Sequence, residues 1–329
     1  MAHQIENNQF AYKGLPAWHE LGHKVSDTAT GEEMLTVAGL NYRVQRRALA
    51  MRTTKLGDPT MLTAELDGFR AIVRSDTNHV FQVASDRYQP VQNIDIVNFF
   101  REFCEAGHAS VDTVGALRDG AVIWALAKLN GGSSATLVGG DELRGYMLLA
   151  TSHDGSLKTI GKPTQVRVVC GNTMAMALGD GKAQYSLKHN SKFTDQQKAE
   201  ARRVMGMAIE SIAETNELAA ELAKVTIDHD GWMEFMGKLL GEENILDAEA
   251  NLSRLAADIQ ESTMTSPGSN LVSARGTLWG AVNGVTHYVD HVGRSRSDSN
   301  RLFSAWFGDG ERMKNSAVRV AAEMAGITL

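Results

Sequence analysis

Three residues near the start of the chain have the spacing of a zinc-protease motif. His19, Glu20 and His23 match H-E-x-x-H, in which two imidazoles bind the metal ion and the glutamate acts as a base. That chemistry requires a helix that brings both imidazoles to one face. Gly14 and Pro16 precede the motif and disfavour helical turns before it. The sequence therefore favours an N-terminal loop with solvated histidines over a catalytic zinc site.

A second pair of histidines has the spacing of one helical turn. His287 and His291 are four residues apart, which suits a shared metal ion or a phosphate. Asn283, His287, Asp290 and Arg294 form a polar stripe on the side opposite Val282 and Val289. Spacing identifies no third ligand, so a solvated or partner-facing stripe is the favoured interpretation.

Other signatures of enzymes are missing from the sequence. The chain contains no G-x-x-x-x-G-K-[ST] phosphate loop, no G-x-S-x-G nucleophile elbow and no C-x-x-C pair. We therefore predict that the protein is not an enzyme and that it needs neither a cofactor nor a metal ion.

Basic residues of the first half have the density of a surface that binds a polyanion. Strand alternation places Arg43 and Arg47 on one face and Arg46 on the other. Arg87 and Tyr88 form a cation–aromatic pair that suits the stacking of a base. The candidate nucleic-acid-binding residues are Arg43, Arg47, Arg87, Tyr88, Lys158, Lys162, Arg167, Lys188 and Lys192. The alternatives are a tyrosine packed under a turn and a sheet face that is merely solvated.

Hydrophobic periodicity defines the elements that must position these residues. Before residue 193, short alternating runs bounded by Gly, Asp and Asn predict strands. A few helices interrupt them: Thr30 and Glu33 form a capping-box pattern, and a helix is predicted from Asn93 to about Glu105. After residue 193 helical periodicity dominates, beginning with a long helix capped near Asp195. We predict an α+β fold with a β-rich mixed half and an all-helical half. The predicted domains are residues 1–193 and 194–329.

Composition excludes several classes of protein. The 329 residues are 43% hydrophobic and 22% charged, which is ordinary for a globular protein and excludes wholesale disorder. No apolar run approaches the roughly 20 residues that a membrane-spanning helix needs. The N-terminus lacks the basic start and apolar core of a secretory signal. With only two cysteines, the sequence indicates a reducing compartment.

Charge is distributed unevenly along the chain. The whole chain has a net charge of −6, yet residues 195–264 contain 15 acidic and 6 basic residues, a net charge of −9. Residues 151–192 contain six bases and two acids, a net charge of +4. The sequence therefore predicts an acidic helical segment next to a locally basic, glycine-containing segment.

Several phrases of the sequence together resemble one family, the phage/plasmid-like proteins of the domain of unknown function family 932. The phrases are Pro16-Ala-Trp-His, Asp86-Arg-Tyr-Gln-Pro-Val-Gln-Asn93, Val122-Ile-Trp-Ala-Leu-Ala-Lys128, Thr151-Ser-His-Asp-Gly155, Val166-Arg-Val-Val-Cys-Gly-Asn-Thr173 and Gly276-Thr-Leu-Trp-Gly-Ala-Val-Asn283 through Tyr288-Val-Asp-His291. The family pattern usually has glycine after Trp-His, where this chain has Glu20. That departure creates the H-E-x-x-H spacing and further weakens the protease interpretation.

The resemblance implies a protein of a phage, prophage or plasmid that works in the bacterial cytoplasm. Members often lie near genes for handling single-stranded DNA and for evading host defence, which is an association and not a mechanism. Our leading hypothesis is a protein that binds or anneals single-stranded DNA as a ring- or filament-forming homo-oligomer. The alternative is an anti-restriction protein whose acidic helices contact a host defence protein or mimic the charge of DNA.

Overall fold

A nine-stranded sheet, a three-stranded sheet and a set of C-terminal helices make up the fold. The computed structural model describes residues 9–14, 22–54, 61–169, 171–175, 185–187, 195–246 and 252–329. The strands are β1 Phe10–Tyr12, β2 His23–Lys24, β3 Val44–Thr54, β4 Met61–Arg74, β5 Val80–Ser85, β6 Ala109–Leu117, β7 Val122–Leu129, β8 Ser134–Leu137, β9 Asp141–Ser152, β10 Thr159–Arg167, β11 Asn172–Ala175 and β12 Tyr185–Leu187. The predicted α+β class, with a β-rich first half and a helical second half, is confirmed.

Helices interrupt the first half and dominate the second. The α-helices are α1 Gly31–Val37, α2 Asn93–Asn98, α3 Arg101–Glu105, α4 Asp195–Leu222, α5 His229–Leu240, α6 Arg254–Thr265, α7 Leu278–His287, α8 Asp298–Phe307 and α9 Asp309–Met324. A 3-10 turn covers Glu242–Asn244, and a π-helical turn covers Tyr288–Val292. The single helix predicted from Asn93 to about Glu105 is therefore wrong, because the structure has two short helices there.

The large sheet is covered on both of its faces. Its strand order is β11-β10-β9-β7-β6-β1-β2, with β12 beside β10 and β8 beside β9. On one face lie α1 to α3, the three-stranded sheet and part of α4. On the other face Trp124 of β7 meets Trp306 of α8 edge to face, with ring centroids 4.8 Å apart. Because both faces are buried, β7 has a nearly continuous apolar sequence.

The three-stranded sheet has the order β3-β4-β5 and packs through its inner face. Val44 and Ile72 are buried there against Met34 and Phe100 of the first core. Irregularities in the β3–β4 pairing between Ala48 and Ala50 bend the sheet, so the far end of the hairpin continues beyond the core. This sheet therefore has one buried face and one face that the large sheet does not cover.

A third core lies among the helices of the second half. Phe235 of α5, Trp279 and Val282 of α7 and Ala321 of α9 are buried in it. The helix α4 contributes to two cores, since Ile212 packs on the large sheet and its C-terminal part packs among the helices. The division of the chain near residue 193 stays a prediction. Over the described residues, no helix is long and apolar enough to cross a membrane.

Candidate nucleic-acid interface

The outer face of the three-stranded sheet brings together basic, aromatic and aliphatic side chains. In the pairing of β3, β4 and β5, Arg47 lies opposite Ala71 and Ala71 lies opposite Val83. Phe69 is two residues before Ala71 and lies opposite Ser85. Antiparallel partners point to the same side of a sheet, and so do alternate residues of one strand. The register therefore places Arg47, Phe69 and Val83 on one face.

Solvent exposure varies over this face. The exposed fractions are 46% for Phe69, 51% for Val80 and 53% for Val83, whereas Ala71 and Val73 of the central strand, which lie on the same face, are only 5% and 3% exposed. Large apolar side chains that remain half exposed on one sheet face are typical of an interaction surface. We call the set Arg43, Gln45, Arg47, Phe69, Val80 and Val83 the outer-face set.

The arginines of this face are arranged as the sequence predicts. The pairing register places Arg47 and Gln45 on the outer face and Arg46 on the opposite face. Alternation extends the outer face to Arg43, just before β3, whose backbone N–H donates to Ser75 Oγ at 2.9 Å. The Arg47 guanidinium donates to Gln45 Oε1 at 2.9 and 3.1 Å and to Asn78 Oδ1 at 2.8 Å. These neutral acceptors orient the guanidinium, and no carboxylate of the described residues forms an ion pair with it.

The chemistry of the outer-face set suits a single nucleic-acid strand. A guanidinium attracts phosphate oxygens, and an exposed aromatic ring provides a flat surface on which a base stacks. The register partners of Arg47, Gln45 and Phe69 are Ala71, Val73 and Ser85, so none of these pairs contains a carboxylate. A phosphate backbone that crosses the face therefore meets positive charge beside an aromatic ring.

Two of the predicted basic residues lie near the edge strand β5. Arg87 is exposed just after the end of β5, and Lys158 is exposed in the loop between β9 and β10. That loop is held against the small sheet, because Gln82 Nε2 donates to the His153 carbonyl at 2.8 Å and the Tyr88 hydroxyl donates to the Ser152 carbonyl at 3.2 Å. Gln82 pairs with Ile72 of the inner face, so Arg87 and Lys158 lie beside the β5 edge, whereas Arg47 lies on β3 at the other edge of the small sheet.

The environment of Tyr88 differs from that of an exposed stacking platform. Its ring is half-buried against the first core, and its hydroxyl is engaged with the Ser152 carbonyl. Burial, followed by the negative charge of Asp154, raises the pKa of the Tyr88 phenol. The structure therefore places Tyr88 in packing, and the exposed ring of the surface belongs to Phe69.

Two other predicted contacts are buried in ion pairs. Lys162 Nζ donates to Glu311 Oε1 at 2.5 Å and to the Trp306 carbonyl, and burial lowers the pKa of this ammonium while Glu311 opposes the shift. Arg167 Nε donates to both oxygens of Asp141, at 2.8 and 3.0 Å. Lys162 and Arg167 are therefore bound to carboxylates inside the protein, and a phosphate on the surface does not reach them.

Several residues that the sequence singles out lie beyond the part of the chain that the structure describes. Lys188 and Lys192 lie outside the described residues. The same holds for His19 and Glu20 of the H-E-x-x-H spacing, while His23 begins the short strand β2, which pairs with β1. Among the described residues, no group of three or more histidine, cysteine or carboxylate side chains could hold a metal ion.

The polar stripe around His287 and His291 is not a solvated surface. Asp290 is buried and accepts hydrogen bonds from Lys314 Nζ at 2.7 Å and from the backbone N–H of Thr173 at 2.7 Å. His291 Nε2 lies 3.1 Å from Asn172 Oδ1, and its ring lies 4.6 Å from that of His287. The prediction of a solvated stripe is therefore wrong for Asp290, whose carboxylate ties the π-helical turn to β11 and α9.

Phrases that are far apart in the sequence meet in these buried networks. His153 Nε2 lies 2.8 Å from Asn93 Oδ1, which joins the Thr151–Gly155 phrase to the Asp86–Asn93 phrase. Thr173 and Asp290 join two further phrases at the far edge of the large sheet. These networks fix loops and helix ends, and they account for polar residues within otherwise apolar runs.

Sequence reasoning missed the apolar members of the outer-face set. The alternating run that begins at Phe69 is typical of a strand and lies within β4, but alternation does not say which face of the strand is covered. The available signal was the position of Phe69 and Val83 on the same side of their strands as Arg47, and it becomes visible only when the pairing register is known.

Comparison with known proteins gives one match. The model of the family described as Domain of unknown function (DUF932) matches residues 80–306, which is more than half of the chain. No curated protein and no solved structure matches the chain. The matched segment begins at β5 and ends within α8, so it includes the large-sheet strands β6 to β12 and the π-helical turn.

Proposed function

This chain belongs to the family described as Domain of unknown function (DUF932), and we propose that it binds single-stranded DNA on the outer face of its three-stranded sheet. The observation that carries this proposal is the exposed ring of Phe69 on the same face as Arg43 and Arg47, with no carboxylate at the paired positions. Nonspecific binding of a single strand combines positive charge along the backbone with aromatic stacking of the bases.

In this proposal, each part of the surface has a separate task. Arg43 and Arg47 neutralise phosphates of the strand that crosses the outer face, and Arg87 and Lys158 attract its backbone at the β5 edge. Phe69 stacks one base and leaves its hydrogen-bonding edge accessible to a complementary strand. Such a surface anneals strands without a cofactor, since base pairing supplies the free energy of the product.

We further propose that the protein serves the recombination or replication of a phage or plasmid in the bacterial cytoplasm. It acts there as a homo-oligomer in a ring or filament. Over the described residues, β3 and β5 each pair only with β4, so the small sheet has two open edges. Open edges can pair between copies, and such an assembly would join the outer faces of successive copies into a longer surface.

Fluorescence anisotropy with a labelled oligonucleotide tests the proposed surface. We expect salt-sensitive binding that prefers single strands to duplex, and Arg47→Gln should reduce the slope of log K against log salt by about 0.7. Phe69→Ala should weaken binding by about 1–3 kcal/mol, with little change in the salt slope. Arg319→Gln, an exposed arginine on α9, is the matched control and should bind as the unmodified protein does.

Two results would contradict the proposal. One is the absence of binding at low salt, and the other is binding that Arg47→Gln and Phe69→Ala leave unchanged. In the second case the strand would occupy another surface, and the outer face would lose its assigned role.

An acidic surface on α4 supports the alternative function, which is the inhibition of host restriction. Glu210, Glu214, Glu217 and Glu221 are all exposed and recur every three or four residues, so they form one acidic stripe along α4. A protein that evades host restriction could present this stripe to a DNA-binding partner as a mimic of phosphate charge. Capture of one host defence protein that is lost on Glu214→Gln/Glu217→Gln, together with no DNA binding, would favour this function.

A further inference from the structure

A pocket in the helical half lies at the junction of three elements. Its volume is about 430 Å³, and its walls are the start of α5, the end of α6 and the loop that precedes α7. The loop is anchored beside α5, because the Ile227 N–H donates to the Gly276 carbonyl at 2.9 Å. Cavities of this size accommodate small organic ligands.

Four polar side chains that line this pocket have no protein partner among the described residues. They are His229 on α5, Gln260 on α6, and Asn270 and Arg275 on the loop. Within the described part of the chain, none of these side chains makes a hydrogen bond or an ion pair, although each can donate one. Other polar lining groups are already engaged: Thr263 Oγ1 donates to a carbonyl of its own helix at 2.9 Å.

The floor and one wall of the pocket are apolar. Trp232 is buried to 7% exposure and lines the pocket with Ile227, while Met264 at the rim is 66% exposed. The indole Nε1 of Trp232 is buried without an acceptor among the described residues. An unsatisfied buried donor costs about 1–3 kcal/mol, so an acceptor on a bound molecule would stabilise this site.

We propose that this pocket binds an organic phosphate of the size of a mononucleotide. Arg275 and His229 hold the phosphate, since a guanidinium is a cationic donor and an imidazole N–H is a second donor that suits the phosphate oxygens. The planar ring lies against Trp232 and Met264, and the amides of Gln260 and Asn270 bind the edge of the ring. Asp228 also lines the pocket, and its carboxylate caps α5 by accepting from the Gly231 N–H at 3.0 Å. The ligand class follows from the guanidinium of Arg275, an apolar wall and amide groups around one cavity.

This inference is independent of DNA binding at the small sheet. The pocket is built by α5, α6 and the loop before α7, and it shares no residue with the outer-face set. Failure of one proposal therefore does not imply failure of the other, and the two can be separated with variants. Arg47→Gln/Phe69→Ala should leave nucleotide binding unchanged.

Calorimetry and tryptophan fluorescence test the pocket with defined probes. Adenosine, cytidine, guanosine and uridine 5′-monophosphates are titrated separately, followed by adenosine and ribose 5-phosphate. We expect at least one monophosphate to bind saturably, to change the tryptophan emission and to raise the melting temperature. The nucleoside without phosphate and the sugar phosphate without a base should each bind at least about tenfold more weakly, since each loses one half of the contacts.

Variants assign the binding to this pocket. Arg275→Gln should weaken the affinity for the monophosphate about tenfold or more without lowering the melting temperature of the free protein, because Arg275 is exposed. Arg319→Gln is the matched control and should bind normally. Trp232→Phe should retain binding but lose most of the change in emission.

Three outcomes would overturn the proposal. They are the absence of saturable binding by every monophosphate, binding that Arg275→Gln and Arg319→Gln affect equally, and binding of an aromatic carboxylate such as indole-3-acetate in place of the monophosphates. The last outcome would show that the pocket binds a ligand, but that the ligand is not an organic phosphate.

Discussion

The buried pair of Asp290 and Lys314 gives a prediction for stability. Both side chains are almost fully buried, and Lys314 Nζ also donates to the Thr173 carbonyl at 2.6 Å. Removing one member leaves the other charge in the interior without compensation. We expect Lys314→Met to lower the free energy of unfolding, measured by urea denaturation, by about 3–5 kcal/mol.

A matched variant separates burial from the loss of a lysine. Lys238 forms an exposed pair with Glu323 at 2.7 Å, so water replaces this partner readily. Lys238→Met should therefore change stability little. If both variants lost the same free energy of unfolding, the burial of Lys314 would not account for its effect on stability.

The carboxylate of Asp112 gives a prediction for pH dependence. Burial raises its pKa above the ordinary value of 3.8, against the opposing charges of Lys128 and Lys13. Between 3.8 and the raised pKa, the folded protein binds more protons than the unfolded chain, so this group lowers stability as the pH rises through that window. Asp112→Asn removes the effect, and urea denaturation should show it gaining stability over the unmodified protein as the pH rises from 3.5 to 7. A constant difference over this range would contradict the prediction.

At the scale of elements, the close packing of α6 and α7 depends on one glycine. A Cβ added at Gly284 would lie 1.9 Å from Thr263 Oγ1 and 2.8 Å from Thr263 Cα, so the two helices would have to separate. We expect Gly284→Ala to destabilise the protein by about 1–3 kcal/mol in urea denaturation, because overpacking outweighs the better helix propensity of alanine.

The control for that substitution lies on α4. Gly206 is exposed and has no neighbouring atom within 4 Å of an added Cβ. Gly206→Ala should therefore stabilise the protein by about 0.5–1 kcal/mol through helix propensity alone. A lower free energy of unfolding for Gly284→Ala together with a higher one for Gly206→Ala would support the tight α6–α7 contact. A Gly284→Ala variant that is more stable than the unmodified protein would refute it.

Features that depend on neighbours in the sequence could be predicted, and features that depend on distant partners could not. The capping box of Thr30 and Glu33 is confirmed, because both hydrogen bonds form within four residues. That Arg43 and Arg47 lie on the same face could be predicted from the two-residue period of a strand. Lys162 has the sequence context of a surface lysine, yet its partner Glu311 lies 149 residues away. Only the tertiary fold distinguishes a basic residue in an ion pair from one that is available to a ligand.

At the scale of the whole molecule, the hydrophobic cores cross the predicted boundary at residue 193. Val204, Ala208 and Ile212 of α4 are fully buried against the first half, and Trp306 of α8 packs on Trp124 from the opposite face. The polar contacts of Lys162 and Thr173 with α8, α9 and the π-helical turn cross the same boundary. The two faces of the large sheet therefore obtain much of their cover from the second half of the chain.

This arrangement predicts that residues 1–193 do not fold independently. Without α4 and α8, the large sheet exposes apolar surface on both faces, and each uncovered large side chain costs about 1.5–3 kcal/mol relative to burial. That loss is comparable with the whole stability of a typical domain, which is about 5–15 kcal/mol. We expect the isolated fragment to lack a cooperative urea transition and to bind a hydrophobic dye. Coexpression with residues 194–329 should restore one transition that near- and far-ultraviolet circular dichroism report together. A cooperative transition of the isolated fragment would instead establish it as an autonomous domain, and the contacts of α4 and α8 would then join two independently stable units.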